Sequence, residues 1–173
     1  MKPKEKTTCY SYFDICSEGE LQYGVGFVAE ENSEFDPDYI TELLGIEPHN
    51  KWRTGEPRRH GAGVYGAYKF SRWGACRQDT PENDAREQCL AIVRMLKDKI
   101  PALKQIKREY NVSFCIIVVP EIYNEEAPAL CFDEEIIEFC HATGTVIDID
   151  TYVHDRESWL RRLFHRPRKY YKR

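Results

Sequence analysis

Asp36-Pro37-Asp38-Tyr39-Ile40-Thr41-Glu42-Leu43-Leu44-Gly45 carries a complete set of helix boundaries, and the elements on either side of it decide the fold class. Asp36 is placed to cap the N-terminus, Pro37 fits the first helical turn, and Phe35 can staple onto Ile40 across the cap. Ile40, Leu43 and Leu44 form one apolar stripe, and Gly45 supplies the stop. A helix this short is marginal alone in water, so it must dock.

Upstream, Cys9 to Cys16 and Leu21 to Ala29 flank the polar turn Ser17-Glu18-Gly19-Glu20 and read as a β-hairpin. Its second strand alternates Leu21, Tyr23, Val25, Phe27 and Ala29 with Gln22, Gly24 and Gly26. Downstream, residues 46–61 read as a long polar loop around Trp52, and Tyr65 to Trp73 resumes strand alternation. A longer helix is expected from Thr80-Pro81, with Cys89, Ile92, Val93, Leu96 and Ile100 at helical spacing until Pro101 interrupts it, after which Leu103, Ile106 and Tyr110 suggest a further turn or two. Val112 to Val119 is apolar on both faces, which predicts a central, covered strand. Ala129 to Phe132 reads as a short strand, and Asp133 caps a helix with Ile136, Ile137 and Cys140 on its stripe and Gly144 at its end. Thr145 to Val153 is the last strand: Ile147, Ile149, Thr151 and Val153 share one face, Val146, Asp148, Asp150 and Tyr152 the other.

The expected order is therefore β-β-α-β-α-β-β-α-β, followed by a C-terminal amphipathic helix near 156–164. This is an α+β fold with a mixed or antiparallel sheet and helices packed on one face. A D-[PE]-x-x-I helix start followed by a glycine stop occurs at Asp36 and again at Asp133, which suggests two ferredoxin-like β-α-β halves. Residues 9–154 are expected to form one domain and 155–173 a basic tail.

A chain of 173 residues with 42% hydrophobic content can build one core. Its longest apolar run, Cys115 to Val119, is far below the roughly 20 residues of a membrane span, and the basic, polar N-terminus lacks an apolar stretch behind it. No membrane span or secretory signal is expected. The seven cysteines are scattered singly without a C-x-x-C pair, which fits free thiols in a cytoplasmic protein and implies neither zinc nor another cofactor. Charge is uneven: residues 1–155 hold 28 acidic and 17 basic side chains, net −11, whereas 156–173 hold one acidic and eight basic, net +7. An acidic body favours basic partners and repels nucleic acid and anionic membrane, so any nucleic-acid contact would have to run through the tail.

The block Asp36-Pro37-Asp38-Tyr39-Ile40-Thr41-Glu42-Leu43-Leu44-Gly45-Ile46-Glu47-Pro48, then Lys51-Trp52-Arg53-Thr54-Gly55-Glu56, with Asp148-Ile149-Asp150-Thr151-Tyr152-Val153 at the end, resembles the bacterial domain-of-unknown-function family 4279. The likeness covers about residues 10–153 and carries no catalytic residue with it. By analogy with small bacterial families encoded beside secreted toxins, it implies an immunity-type protein.

Three constellations can carry chemistry. Around Trp52, the cations Lys51, Arg53, Arg58, Arg59 and His60 would hold a small anion through guanidinium forks, with the indole as a stacking face. The plainer reading is that Trp52 plugs the end of the core while the cations are solvated or paired. Asp148 and Asp150 alternate on one strand, about 7 Å apart on one face, and would suit a hard cation in a metal-dependent hydrolase or nuclease. The favoured alternative is that they lie on an exposed face or pair with arginines of the Trp52 loop, with Tyr152 beside them. In the tail, Trp159, Leu160, Leu163 and Phe164 form a stripe followed by arginines and lysines. That helix would dock on its own domain or form a homodimer. No nucleophile with a neighbouring base is evident. The functional expectation is a non-enzymatic protein-binding module, with immunity against a basic toxin as its concrete form.

Overall fold

The first strand of the chain alternates Cys9, Ser11, Phe13 and Ile15, all buried, with Tyr10, Tyr12 and Asp14, and it forms the middle of the sheet. The structure is a computed structural model and describes residues 6–22, 26–29, 33–61, 63–79, 84–123 and 126–154. In chain order the elements are β1 (Thr8–Cys16), β2 (Glu18–Gln22), β3 (Gly26–Ala29), α1 (Pro37–Leu44), β4 (Asn50–Trp52), β5 (Pro57–His60), β6 (Gly63–Ala67) and β7 (Arg72–Asp79). They continue with α2 (Ala85–Leu96), a 3₁₀ turn (Lys97–Lys99), α3 (Ile100–Glu109), β8 (Ser113–Tyr123), α4 (Glu134–Thr143), β9 (Thr145–Ile149) and β10 (Tyr152–His154).

The main sheet runs β4-β7-β1-β8, each neighbour antiparallel, with β9 and β10 both parallel to β8 on its outer side. The segment β1-α1-β4-β7-α2/α3-β8 is thus a split β-α-β pair, the ferredoxin-like arrangement. α4 is the crossover that a parallel β8–β9 neighbour requires. The fold is α+β with a mixed sheet. The second β-α-β half is β7-α2/α3-β8; the Asp133 repeat marks the added α4 unit.

Helix boundaries follow local chemistry. Asp36 accepts from the Asp38 backbone N, Asp84 from Arg86 and Glu87, and Asp133 from Ile136. Gly45 and Gly144 close α1 and α4 with φ of 63° and 66°, a conformation glycine adopts without strain. The core lies between one sheet face and the helices, joining Phe13, Ile15, Trp73, Phe114 and Ile116 to Ile40, Leu44, Ile92, Leu96, Leu103, Ile106 and Ile136. The buried Trp73 indole donates to Thr41 Oγ1 on α1 at 3.0 Å, and buried Gln88 on α2 bridges Ser11 and the Cys9 carbonyl. These polar anchors fix the helix layer to the sheet, because an unpaired buried group would cost about 1–3 kcal/mol.

Several expectations are corrected. β1 does not pair with residues 21–29; it pairs with β7 and β8, while β2 and β3 form a separate two-stranded sheet. The alternation read for Leu21 to Ala29 concerns side chains outside the described set. Residues 46–61 are not a continuous loop: β4 joins the main sheet there, and β5 pairs with β6 in a further hairpin. The long helix starts at Ala85, with the Thr80-Pro81 start outside the described residues; its interruption falls at the 3₁₀ turn before Ile100, and Pro101 sits in the first turn of α3, which carries Leu103 and Ile106. Ala129 to Phe132 is not a strand. The last strand breaks into β9 and β10. β8 is buried on the helix side, but Cys115 and Ile117 on its other side are only half-buried. The C-terminal helix near 156–164 and the basic tail lie outside the described residues. Among the described residues, no helix is long and apolar enough to cross a membrane.

Candidate functional site

All four described α-helices contribute to the core on one side of the sheet, and no described helix packs on the other. Alternation along β1 delivers Tyr10, Tyr12 and Asp14 to that second face. Antiparallel pairing places Gly74 beside Asp14 and Arg72 beside Cys16, and β4 adds Asn50 and Trp52 opposite Gly74 and Arg72. The β1–β7 register shifts by one residue between Ser11 and Phe13, so Cys76 and Arg77 oppose Tyr12 alone. Cys76 takes up the bulge with φ of 58°, in the left-handed region that non-glycine residues seldom enter. Arg77 then lies over Tyr10.

The result is a continuous row of rings and guanidinium groups across the sheet. Arg77 Cζ sits 4.0 Å from the Tyr10 ring centroid, and Tyr10 and Tyr12 stack at 6.2 Å. Arg72 lies 5.5 Å from the Tyr12 ring and 5.1 Å from the Trp52 ring. Trp52 stacks on Tyr68 at 4.5 Å and meets Phe70 edge-on. His49 packs edge-on against Tyr12 at 5.4 Å.

Arg72 is the keystone of the row. Its Nε donates to Asp14 Oδ1 at 2.9 Å, Nη2 lies 2.5 Å from Asp14 Oδ2, and Nη2 also donates to the Tyr12 hydroxyl at 3.3 Å. The Asp14 side chain is 3% exposed, and burial pushes its carboxyl above the ordinary range although Arg72 pulls the other way. For Arg72, burial opposes the charge, but Asp14 outweighs it and holds the guanidinium firmly protonated. Burial, reinforced by Arg72 and Arg77, lowers the His49 pKa. Arg77 in turn holds the Asp79 carboxyl below its usual range through a bidentate hydrogen bond. Gly74 leaves the room beneath this cluster: a Cβ there would lie 2.7 Å from Asp14 Oδ1 and closer still to Asn50 Oδ1.

The residues singled out from the sequence fall at three places. Trp52 is half-buried in the row, with its Nε1 buried and without a hydrogen-bond partner among the described residues. Arg53 is tied to Asp36 at the α1 N-cap, and Lys51 to Asp38 at 2.5 Å, so these two cations fasten β4 to α1. Arg58 and Arg59 are exposed on β5 and border a cavity of about 650 Å³ with Tyr65 and Tyr68. Asp148, Asp150 and Tyr152 lie at the opposite edge, four strand spacings or roughly 19 Å from β4.

The Trp52 region and the two carboxylates are therefore not brought together. Asp148 and Asp150 are exposed, neither has an ion pair among the described residues, and Asp150 Oδ2 accepts from the Tyr152 hydroxyl at 2.9 Å. The expected arginine pairing fails because Arg53 is engaged at α1 and β7, β1 and β8 intervene. No group of three His, Cys, Asp or Glu side chains among the described residues is placed to hold a metal ion. Tyr10, Tyr12, Asp14, His49, Arg72 and Arg77 belong to no sequence motif, and the one signal for them is the alternation of Tyr10, Tyr12 and Asp14 with Phe13 and Ile15.

The family model described as domain of unknown function (DUF4279) matches residues 7–154, and the chain belongs to that family. No curated protein and no solved structure matches it.

Proposed function

We propose that this chain is a non-enzymatic protein-binding module that docks a basic partner on the helix-free face of its sheet and along the β9/β10 edge. The observation that carries the reading is the charge and ring pattern there. Arg72 and Arg77 are matched by Asp14 and Asp79, which leaves Asp148, Asp150 and Glu121 without a cationic partner among the described residues. Exposed Val146 and Tyr152 lie among these acids, at 63% and 49% exposure. Tyrosine faces beside carboxylates suit lysine and arginine side chains, through cation–π attraction and ion pairing. Tyrosine and tryptophan held in place lose little freedom on binding, which is why they dominate interface energetics. β9 and β10 pair only with β8 among the described strands, so their outer backbone groups are available to an added strand. Immunity against a basic toxin is the most concrete form of this function.

The test is affinity capture from the organism's own lysate with the wild type and with Asp148→Lys/Asp150→Lys. A basic protein should be retained by the wild type and lost with the double variant, and its association rate should fall as salt rises. Retention by both, with a salt-independent rate, would remove the reading.

A further inference from the structure

We infer that the β5–β6 hairpin carries a binding site for a phosphate monoester joined to a planar ring, as in a nucleoside monophosphate. Consecutive residues of a regular strand point to opposite faces, yet Arg58 and Arg59 border the same cavity. The facing strand carries a bulge: Pro57 pairs with Ala67 and Arg59 with Val64, so Tyr65 and Gly66 together oppose Arg58, Gly66 takes φ of 95°, and Tyr65 lines the cavity beside Arg58. In a chain with 29 acidic side chains, neither arginine has a carboxylate partner among the described residues. Two adjacent guanidinium groups match the double charge and several acceptor oxygens of a phosphate monoester better than a single carboxylate.

The ring-binding wall is built in advance. Tyr68 is held through its backbone, its N–H donating to the Glu56 carbonyl and its carbonyl accepting from Gly55, each at 2.9 Å. Its ring is backed by Trp52 at 4.5 Å, which Arg72 covers from beyond. A wall fixed before binding reduces the ordering cost of a stacked ligand. Tyr65, 69% exposed, is a second ring lining the cavity, and about 650 Å³ falls within the size range of small-ligand sites.

Two sources share this chemistry, a free mononucleotide and the 5′-phosphorylated end of a nucleic-acid strand. Isothermal titration with AMP, adenosine, inorganic phosphate and a deoxyadenosine tetramer with and without its 5′-phosphate separates them. AMP should bind at least tenfold more tightly than either phosphate or adenosine alone. Arg58→Ala/Arg59→Ala should abolish that binding with an unchanged melting temperature, since both side chains are exposed. Tyr65→Ala should bring AMP affinity toward that of phosphate. Tighter binding of the phosphorylated tetramer than of AMP supports the site and assigns it to strand ends; weaker binding assigns it to the free nucleotide. Absence of AMP binding at millimolar concentration, survival of binding in the arginine double variant, or equal affinity for the unphosphorylated tetramer overturns it. None of these outcomes depends on the Asp148 and Asp150 edge, so this site and the protein-docking surface stand or fall separately.

Discussion

Replacing Arg72 with leucine tests whether the ring row is fastened from within. The substitution keeps much of the apolar stem but removes the cation facing a carboxylate whose side chain is 3% exposed; Arg72 itself is 20% exposed. Removing one partner of a buried ion pair costs about 3–5 kcal/mol, and the lost contacts to Tyr12 and Trp52 act in the same direction. For a chain of this size each kcal/mol moves the melting temperature by roughly 2–4 °C, so Arg72→Leu should lower it by about 6–20 °C. Asp14→Leu/Arg72→Leu buries no unpaired charge and should be less damaged than Arg72→Leu alone. The loss should also depend on pH. Burial already raises the Asp14 pKa, and removing Arg72 raises it further. A carboxyl whose folded-state pKa lies above its unfolded value contributes stability at low pH and loses it as pH rises through the folded-state pKa. The Arg72→Leu deficit should therefore be smaller at pH 5 than at pH 7.5, as read by urea titration of both proteins. A deficit under 1 kcal/mol at pH 7.5, or a double variant whose loss equals the sum of the singles, would show that the pair behaves as a surface ion pair and refute the reasoning.

Gly74→Ala places a Cβ against Asn50 and Asp14 and should cost about 1–3 kcal/mol by chemical denaturation, less in an Asn50→Ala background. The His49 pKa is lowered by burial and then by Arg72 and Arg77, so the unfolded chain binds the extra proton first. Stability should fall as pH drops below about 6.5, the fall should flatten below the folded-state pKa, and His49→Gln should remove this slope in thermal melts. Burial pushes the Cys9 and Cys76 thiols up to about 11 and those of Cys89 and Cys115 up to about 12. Iodoacetamide at pH 8 should modify exposed Cys131 in the native protein and these four only after denaturation, as peptide mass mapping would show.

What was legible in the sequence was local. Asp36, Pro37 and Gly45 define α1, and Asp133 and Gly144 define α4, because capping needs only neighbouring residues. Strand pairing is not local. A four-residue turn after Cys16 points to a hairpin with residues 21–29, yet the buried Phe13 and Ile15 are satisfied only between β7 and β8, far along the chain. The β5–β6 hairpin escaped notice because its exposed side chains carry no apolar alternation; Arg58 and Arg59 read as loop cations. The Asp148 and Asp150 reading rests on one unbroken strand from Thr145 to Val153. The exposed face expected for both carboxylates is found, but the break before Tyr152 could not be inferred from alternation alone, since alternation does not say which strand forms a sheet edge. The ring row needed two facts absent from any one segment: that β1 is central, and that a bulge at Cys76 turns Arg77 onto its face.

Hydroxyl-radical footprinting of the chain with and without its captured protein partner tests the docking face most directly. Tyr10, Trp52 and Tyr152 should lose reactivity in the complex, while Met95 and Ile137, 43% and 56% exposed on the helix side, keep theirs. Protection of Met95 and Ile137 with Tyr152 and Trp52 unchanged would place the partner on the helices and contradict a sheet-face interface.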